Sequence, residues 1–233
     1  KLSKSRFCFY TLETKAKADP SITKTSDKSK WIIAVKGINL DDNSFLYKVV
    51  NKAEIRTAFD INNLDYKHIK LVAKDLIYTS EKTEIKISAF TAVDQNNFAV
   101  TEFETDFSMD SHSVSAQKLK LKTSRSAIDA DLRIQYTSLK SLQKDLPFMK
   151  VNTEMRNVTL NNFDILYFYP DLKKQTFFRN TMNITKISGK VSGNVNNLKG
   201  EKILVKTGIN TLLSADFRIK ALPDIKKAFF DFP

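Results

Sequence analysis

Cysteine is almost missing from this 233-residue chain: Cys8 stands alone, so no intrachain disulfide can form and thiol pairing says nothing about compartment. Histidine is nearly as scarce. His68 and His112 each lack a carboxylate or cysteine at ligand spacing, which favours solvated or strand-end side chains over metal ligands. Five glycines and five prolines fit long strands with short turns better than a glycine-rich loop enzyme, and there is one tryptophan against 17 phenylalanines. No stretch approaches the roughly 20 apolar residues needed to span a bilayer as a helix. There is no signal-peptide pattern and no initiator methionine. The chain opens on Lys1-Leu2-Ser3 and closes on the aromatic run Phe229-Phe230-Asp231-Phe232-Pro233, so both ends read as cut from a longer protein, with any targeting or membrane anchor outside.

What is abundant is alternation. In Lys118-Leu119-Lys120-Leu121-Lys122 and in Ile128-Asp129-Ala130-Asp131-Leu132-Arg133-Ile134 every second side chain is apolar and its neighbour is polar or charged. A period of two is a strand with one wet face and one apolar face. The polar link Thr123-Ser124-Arg125-Ser126 has hairpin length, which makes the two strands antiparallel neighbours. At 42% hydrophobic residues the chain has enough for a core, as one large β domain or two smaller ones. The net charge of +12 favours anionic partners, yet it comes from spread lysines rather than arginine clusters, the pattern of a solvated sheet face.

Along the chain, strands are expected at Arg6–Leu12, Trp31–Ile38, Phe45–Val50, Tyr66–Ala73, Thr83–Ala92, Phe98–Met109, Ser113–Lys122, Ala127–Thr137, Lys150–Leu160, Asn183–Val195, Lys202–Thr207 and Thr211–Ala221. Short polar links make this an antiparallel meander of mainly β character. Asp41-Asp42-Asn43 reads as a turn, Lys15–Lys30 as a polar excursion, and Asn51–Asn63 as helix, strand or neither. Leu139, Leu142 and Leu146 have the spacing of one or two helical turns ended by Pro147, and Phe163–Lys174 is a second helical passage with Asn162 as its N-cap.

Chemistry is sparse. Asp129 and Asp131 share a strand face with Arg133, and cross-strand pairing to Lys118 or Lys120 explains them better than an acid/base pair. Ser111-His112-Ser113 has no nucleophile elbow or oxyanion-hole glycines. Gly189-Lys190-Val191-Ser192-Gly193 lacks the Walker spacing and lies in an alternating strand. Asn157-Val158-Thr159 and Asn183-Ile184-Thr185 match glycosylation sequons, which matter only in a eukaryotic secretory protein. These readings point away from an enzyme and from any cofactor or metal, towards a binding or structural role. Nucleic-acid binding is disfavoured because the aromatics lie on the apolar face or in interruptions such as Leu166-Tyr167-Phe168-Tyr169 instead of alternating with arginines.

Several phrases resemble the TamB branch of the AsmA-like proteins, in the form found in Bacteroidota: Trp31-Ile32-Ile33 followed by Phe45-Leu46-Tyr47; Phe59-Asp60-Ile61-Asn62-Asn63-Leu64 leading into His68-Ile69-Lys70-Leu71; Leu119 to Ser126; Ile187 to Gly193 with Asn196 to Gly200; and Phe217 to Asp224. The resemblance covers most of Trp31 to Asp231 through soft phrases, and Lys15–Lys30 has no place in it. It implies a segment of an elongated periplasmic protein of a Gram-negative bacterium, bridging the two membranes, with an inner-membrane anchor outside the segment. Its strands would curl into an open groove with an apolar concave face along which phospholipid acyl chains slide, and an outer-membrane barrel protein would be a partner. On that reading residues 1–30 are a strand and polar loop, 31–137 a first groove unit, and 138–233 a helical interruption with a second unit. The expected lining is Ile85, Ile87, Phe103, Phe107, Leu119, Leu121, Ile128, Leu132 and Ile134, against the alternative that these residues form the core of a closed β-sandwich. A different class of function, a scaffold for outer-membrane protein assembly that accepts partner strands at its edges, also fits.

Overall fold

In the computed structural model, the described residues are 1–12, 31–138, 145–224 and 227–232. They form a single 13-stranded sheet in an open meander: β1 (Leu2–Ser3), β2 (Arg6–Thr11), β3 (Ile32–Val49), β4 (Asn63–Thr79), β5 (Lys82–Asp94), β6 (Ala99–Asp110), β7 (Ser113–Thr123), β8 (Ala127–Gln135), β9 (Lys150–Asn161), β10 (Ile184–Asn194), β11 (Asn197–Thr207), β12 (Thr211–Lys220) and β13 (Phe229–Asp231). From β3 to β13 each strand pairs antiparallel with the next, so the period-two segments became hairpin neighbours. β1 and β2 instead lie parallel to β3, one after the other along it. The sheet does not close into a barrel. It also runs through the boundary expected near residue 138, because β8 pairs directly with β9.

Four expectations need correction. The run Asp41-Asp42-Asn43 is no turn: β3 continues through it on a bulge with Asp42 at φ 55°, and the register with β4 shifts there. Buried Asn43 turns inward, accepting from the Ser5 backbone N–H and donating to the Leu2 carbonyl, so it fastens β1 and β2 to β3. β4 is also longer than expected, because bulges at His68 and Asp75, both at positive φ, absorb the irregularity that hid its full length. β11 starts at Asn197 rather than Lys202, since Asn194 and Asn197 already face each other across the turn.

The fourth concerns the helical passage. Helix α1 spans only Asn162–Phe168, and its N-cap is Asn161, whose Oδ1 accepts from the Phe163 N–H. It stops there because Tyr169 precedes Pro170, which disfavours helical backbone; Tyr169 sits at φ −130°, ψ 69° and a 3-10 turn follows. A one-turn helix α2 (Thr176–Arg179) completes the insertion between β9 and β10. Leu146–Phe148 forms a 3-10 turn, while Leu139, Leu142 and the whole polar excursion Lys15–Lys30 lie outside the described residues. Asn51–Asn62 is neither helix nor strand, and buried Asp60 organises it by accepting from Ile55 N, Asn62 N and Asn63 Nδ2.

The bulges of two hairpins share one device. Lys118, at φ 53°, sits where β7 slips against β8, and its N–H donates to Asp131 Oδ1 on β8 at 2.5 Å. Lys202, at φ 51°, does the same between β11 and β12, donating to Asp216 Oδ1 at 2.6 Å. A bulge re-aims the strand and flips which residues face inward, so each carboxylate fixes the face assignment of the strand beside it.

Candidate functional site

Antiparallel partners share a face, so the register converts the strand pattern into continuous rows. One row runs Phe103, Leu121, Ile128, Val158, Ile187, Val205, Leu213 from β6 to β12. A second runs Ile85, Phe107, Ala116, Leu132, Thr153, Val191, Gly200, Phe217. A third runs Met109, Val114, Ile134, Val151, Gly193, Leu198, Ile219, Phe230. Eight strands at about 4.8 Å spacing make each longer row roughly 34 Å long.

All nine expected lining residues lie on this face, with Ile87 opposite Thr105 and Leu119 opposite Ala130. Each is half-buried, neither sealed in a core nor fully exposed. Among the described residues only eleven apolar side chains are buried, and no second sheet lies over the face.

The opposite face carries ion pairs between neighbouring strands: Asp75–Lys86 at 3.0 Å, Asp106–Lys118 at 2.9 Å, Glu102–Lys122 at 2.5 Å and Glu154–Lys190 at 3.2 Å. The partner of Asp129 and Asp131 is Arg156 on β9, not the Lys118 or Lys120 side chain; Nε reaches Asp129 at 2.7 Å and a terminal nitrogen reaches Asp131 at 2.5 Å. Arginine prevails because its fork spans two carboxylates two residues apart. That bond, opposed by burial and helped by the Lys118 N–H, holds the Asp131 carboxyl below its ordinary range. Exposed pairs of this kind add little stability, but they dictate which face is wet. A concavity of 630 Å³ on this side, lined by Lys36, Asp75, Glu84 and Lys86 among others, contains the Asp75–Lys86 ion pair.

On the apolar side two hollows adjoin at Val100. One, of 450 Å³, is lined by Phe7, Leu40, Phe45, Leu71 and Phe90, and the other, of 260 Å³, lies between Leu121, Ile128 and helix α1. The helix folds over one rim of the face. Tyr167 stacks on Phe98 with centroids 4.6 Å apart, Phe168 packs edge-on against Phe98, and Phe59 meets both helix aromatics. The Tyr167 hydroxyl donates to buried Asp94, and Phe59 N–H donates to the Tyr167 carbonyl at 2.9 Å. Burial first, and then the Asp94 carboxylate, push the Tyr167 hydroxyl's pKa well above its ordinary value.

The remaining candidates for chemistry fall away on geometry. His112 Nδ1 meets Ser111 Oγ at 2.7 Å, but Asp110 spends its oxygens on the His112 and Ser113 N–H groups and the Ser113 hydroxyl, so no triad forms. His68 is not solitary as expected: the β3 bulge brings Asp42 Oδ1 within 2.9 Å of its Nδ1. No group of three His, Cys, Asp or Glu side chains able to hold a metal occurs among the described residues. Gly189 and Gly193 lie inside β10, and a Cβ at Gly189 would come within 2.6 Å of the Lys202 carbonyl, so this glycine serves strand packing.

Sequence reading missed the C-terminal half of the face, including Val158, Ile187, Val205, Phe217 and Ile219. The signal was an internal repeat. Lys118-Leu119-Lys120-Leu121-Lys122-Thr123 matches Lys202-Ile203-Leu204-Val205-Lys206-Thr207, and Ala130-Asp131-Leu132-Arg133-Ile134 matches Ala215-Asp216-Phe217-Arg218-Ile219. Each pair of segments supplies the bulge lysine and the carboxylate that locks it. Comparison of the chain with family models, with curated proteins and with solved structures finds no match in any of the three.

Proposed function

We propose that this chain is a non-enzymatic segment of an elongated periplasmic protein whose apolar sheet face carries phospholipid acyl chains between inner and outer membrane. The supporting observation is the set of three in-register, mainly apolar rows that cross up to eight strands and, among the described residues, are covered only by α1 at one rim. A half-exposed face of this length is an aggregation hazard in water unless something apolar occupies it. Acyl chains suit it because many weak, non-directional contacts hold a chain without pinning it at one point. The alternation with an ion-paired outer face keeps the rest of the sheet soluble.

The test is lipid retention and its loss. The purified chain is expected to co-purify with phospholipid detected by mass spectrometry, relative to a mock-purified β protein. Ile87→Asp and Leu132→Asp are expected to keep the native circular dichroism spectrum and lose the lipid, because a half-exposed position tolerates a carboxylate that a sealed core does not. If both variants unfold, or if the wild type is lipid-free, the conduit reading fails.

A second reading, strand-edge scaffolding for outer-membrane protein assembly, has its own observation. β13 covers only Arg218–Lys220 of β12, so among the described residues Thr211–Phe217 has no strand on its outer side. Crosslinks from this edge to an outer-membrane barrel protein, in lipid-free material, would favour it.

A further inference from the structure

The ion-paired outer face changes character at the rim where β8 turns into β9, β10 into β11 and β12 into β13. Two outer rows end there: Arg133, Asn152, Ser192, Lys199 and Arg218, and, nearer the rim, Gln135, Lys150, Asn194, Asn197 and Lys220. From β8 to β13 the only carboxylate in these rows is Asp231, opposite Arg218. In the next row inward each carboxylate is matched, Asp131 by Arg156, Glu154 by Lys190 and Glu201 by Lys199. Arg133, Lys150, Arg218 and Lys220 are exposed and have no ion-pair partner among the described residues. Four strand spacings put about 19 Å between the β8 and β12 cations, too wide for one small anion and suited to an array of them. The rim also bears aromatics. Phe148, 69% exposed, precedes Lys150 by two residues, and Phe229, 60% exposed, lies directly opposite Lys220. Backbone bonds hold the three turns side by side: Asn196 N–H donates to the Pro147 carbonyl at 2.9 Å and Ala221 N–H to the Asn196 carbonyl at 3.0 Å.

We propose that this rim is a docking surface for an anionic bilayer, in which Arg133, Lys150, Arg218 and Lys220 meet the headgroup phosphates while Phe148 and Phe229 enter the boundary beneath them. The two sides of the rim set the partner. One side is cationic, and the other carries the end of the apolar row Ile134, Val151, Leu198, Ile219 and Phe230. A membrane surface offers charge above and hydrocarbon below, so both sides are matched at once, whereas a nucleic acid answers the cations and leaves the apolar side in water. The cations stand within about three residues of the strand ends, roughly 10 Å at the usual rise, which is the depth over which an interfacial element is buried. The proposal concerns the rim and not the length of the rows, so it does not rest on the conduit reading.

The experiment uses the full chain and co-sedimentation with vesicles of phosphatidylcholine containing about one quarter phosphatidylglycerol, against pure phosphatidylcholine. The anionic vesicles are expected to bind at least about tenfold more tightly. Lys150→Gln combined with Lys220→Gln should weaken that binding roughly thirtyfold, at about fivefold for each basic residue near the surface. Lys118→Gln combined with Lys122→Gln removes the same charge from the ion-paired part of the face, beyond the screening length, and should change the affinity less than about threefold. Circular dichroism confirms that each variant is folded. Insertion is read in Trp31→Phe with Phe148→Trp, whose single indole should shift its emission to shorter wavelength on the anionic vesicles. Equal binding to neutral vesicles, equal losses from the two lysine pairs, or an unshifted emission would overturn the proposal. A duplex oligonucleotide that binds as tightly as the anionic vesicles would also overturn it, by making the rim a general polyanion site. Charge-dependent docking without co-purified phospholipid would leave this surface standing and remove the conduit reading, and retained phospholipid without such docking would do the reverse.

Discussion

Gly200 and Phe217 offer the sharpest test of how the apolar face is floored. They face each other across β11 and β12, and a Cβ built on Gly200 would stand 2.6 Å from Phe217 Cζ and 2.8 Å from both Cε atoms. The Gly200 backbone lies outside the left-handed region, so alanine meets a steric conflict with the ring and nothing else. Overpacking of this kind costs about 1–3 kcal/mol. The lower half of that range applies, because the half-buried ring can swing outward on an uncovered face. In the Phe217→Ala background the conflict is gone, and Gly200→Ala should become neutral or stabilising by up to about 1 kcal/mol through reduced chain entropy in the unfolded state. The double-mutant cycle is therefore expected to give a coupling of about 1–2 kcal/mol, read from urea unfolding of the four proteins at constant m-value. Additivity within about 0.5 kcal/mol would mean that the ring does not lie over Gly200 and that the row ending at Phe217 is wrongly assigned.

Three further outcomes follow from the rim and the outer face. Tyr167→Phe keeps the stack on Phe98 and the Asn96 and Phe98 N–H bonds to Asp94 Oδ1 but takes the hydroxyl donor from Asp94 Oδ2, and should cost about 1–3 kcal/mol in urea unfolding. Because the folded state raises the Tyr167 pKa, its contribution is intact below about pH 10 and is lost as pH rises beyond that value, so the wild type should lose stability in alkali more steeply than the variant. Arg156→Met should cost less than about 1 kcal/mol, since the pair is exposed. It should also soften acid unfolding: Asp131's depressed pKa gives stability present above about pH 4 and lost as pH falls through the folded value, and the variant has less of it to lose. Asn161→Ala removes the cap of α1 and should cost about 1 kcal/mol, with faster amide exchange in residues 163–168 than in β7 and β8, while equal acceleration in both would show that the helix does not move as a separate unit.

Strand type and order were legible because alternation is a property of the segment itself, and the nine lining residues came from the strands where it is strictest. Other features depended on non-local partners. Asp41-Asp42-Asn43 has turn chemistry by composition, yet Asn43 is claimed by Leu2 and Ser5, far away in sequence, and the chain runs straight on through a bulge. Asp131 looked like a side-chain partner for lysines because the Lys118 bulge, which presents a backbone N–H instead, leaves no mark in a period-two pattern. The burial of Asp164 in α1, 6% exposed and accepting from the Thr123 hydroxyl, could not be read at all: a carboxylate in the first turn of a short helix is ordinary, and its burial depends on β7 and β9 closing around it.

The two bulge locks bear on why the sheet extends instead of closing. Each lock occupies the same place in its hairpin, the slip between Ala116 and Leu119 and the slip between Gly200 and Ile203, and each is held by one carboxylate on the following strand. A bulge repeated at one place in successive units adds the same twist each time. Units that match in twist also match in row position, so Leu132 and Phe217, or Ile134 and Ile219, come to lie in single rows. Closing such a sheet into a sandwich would require one unit to turn its apolar side towards another, which a constant bulge pattern opposes. Tiling instead leaves most of the apolar rows partly exposed, with Val158 and Gly200 buried within them, so the proposed acyl-chain ligand would meet a series of repeated, weak contacts.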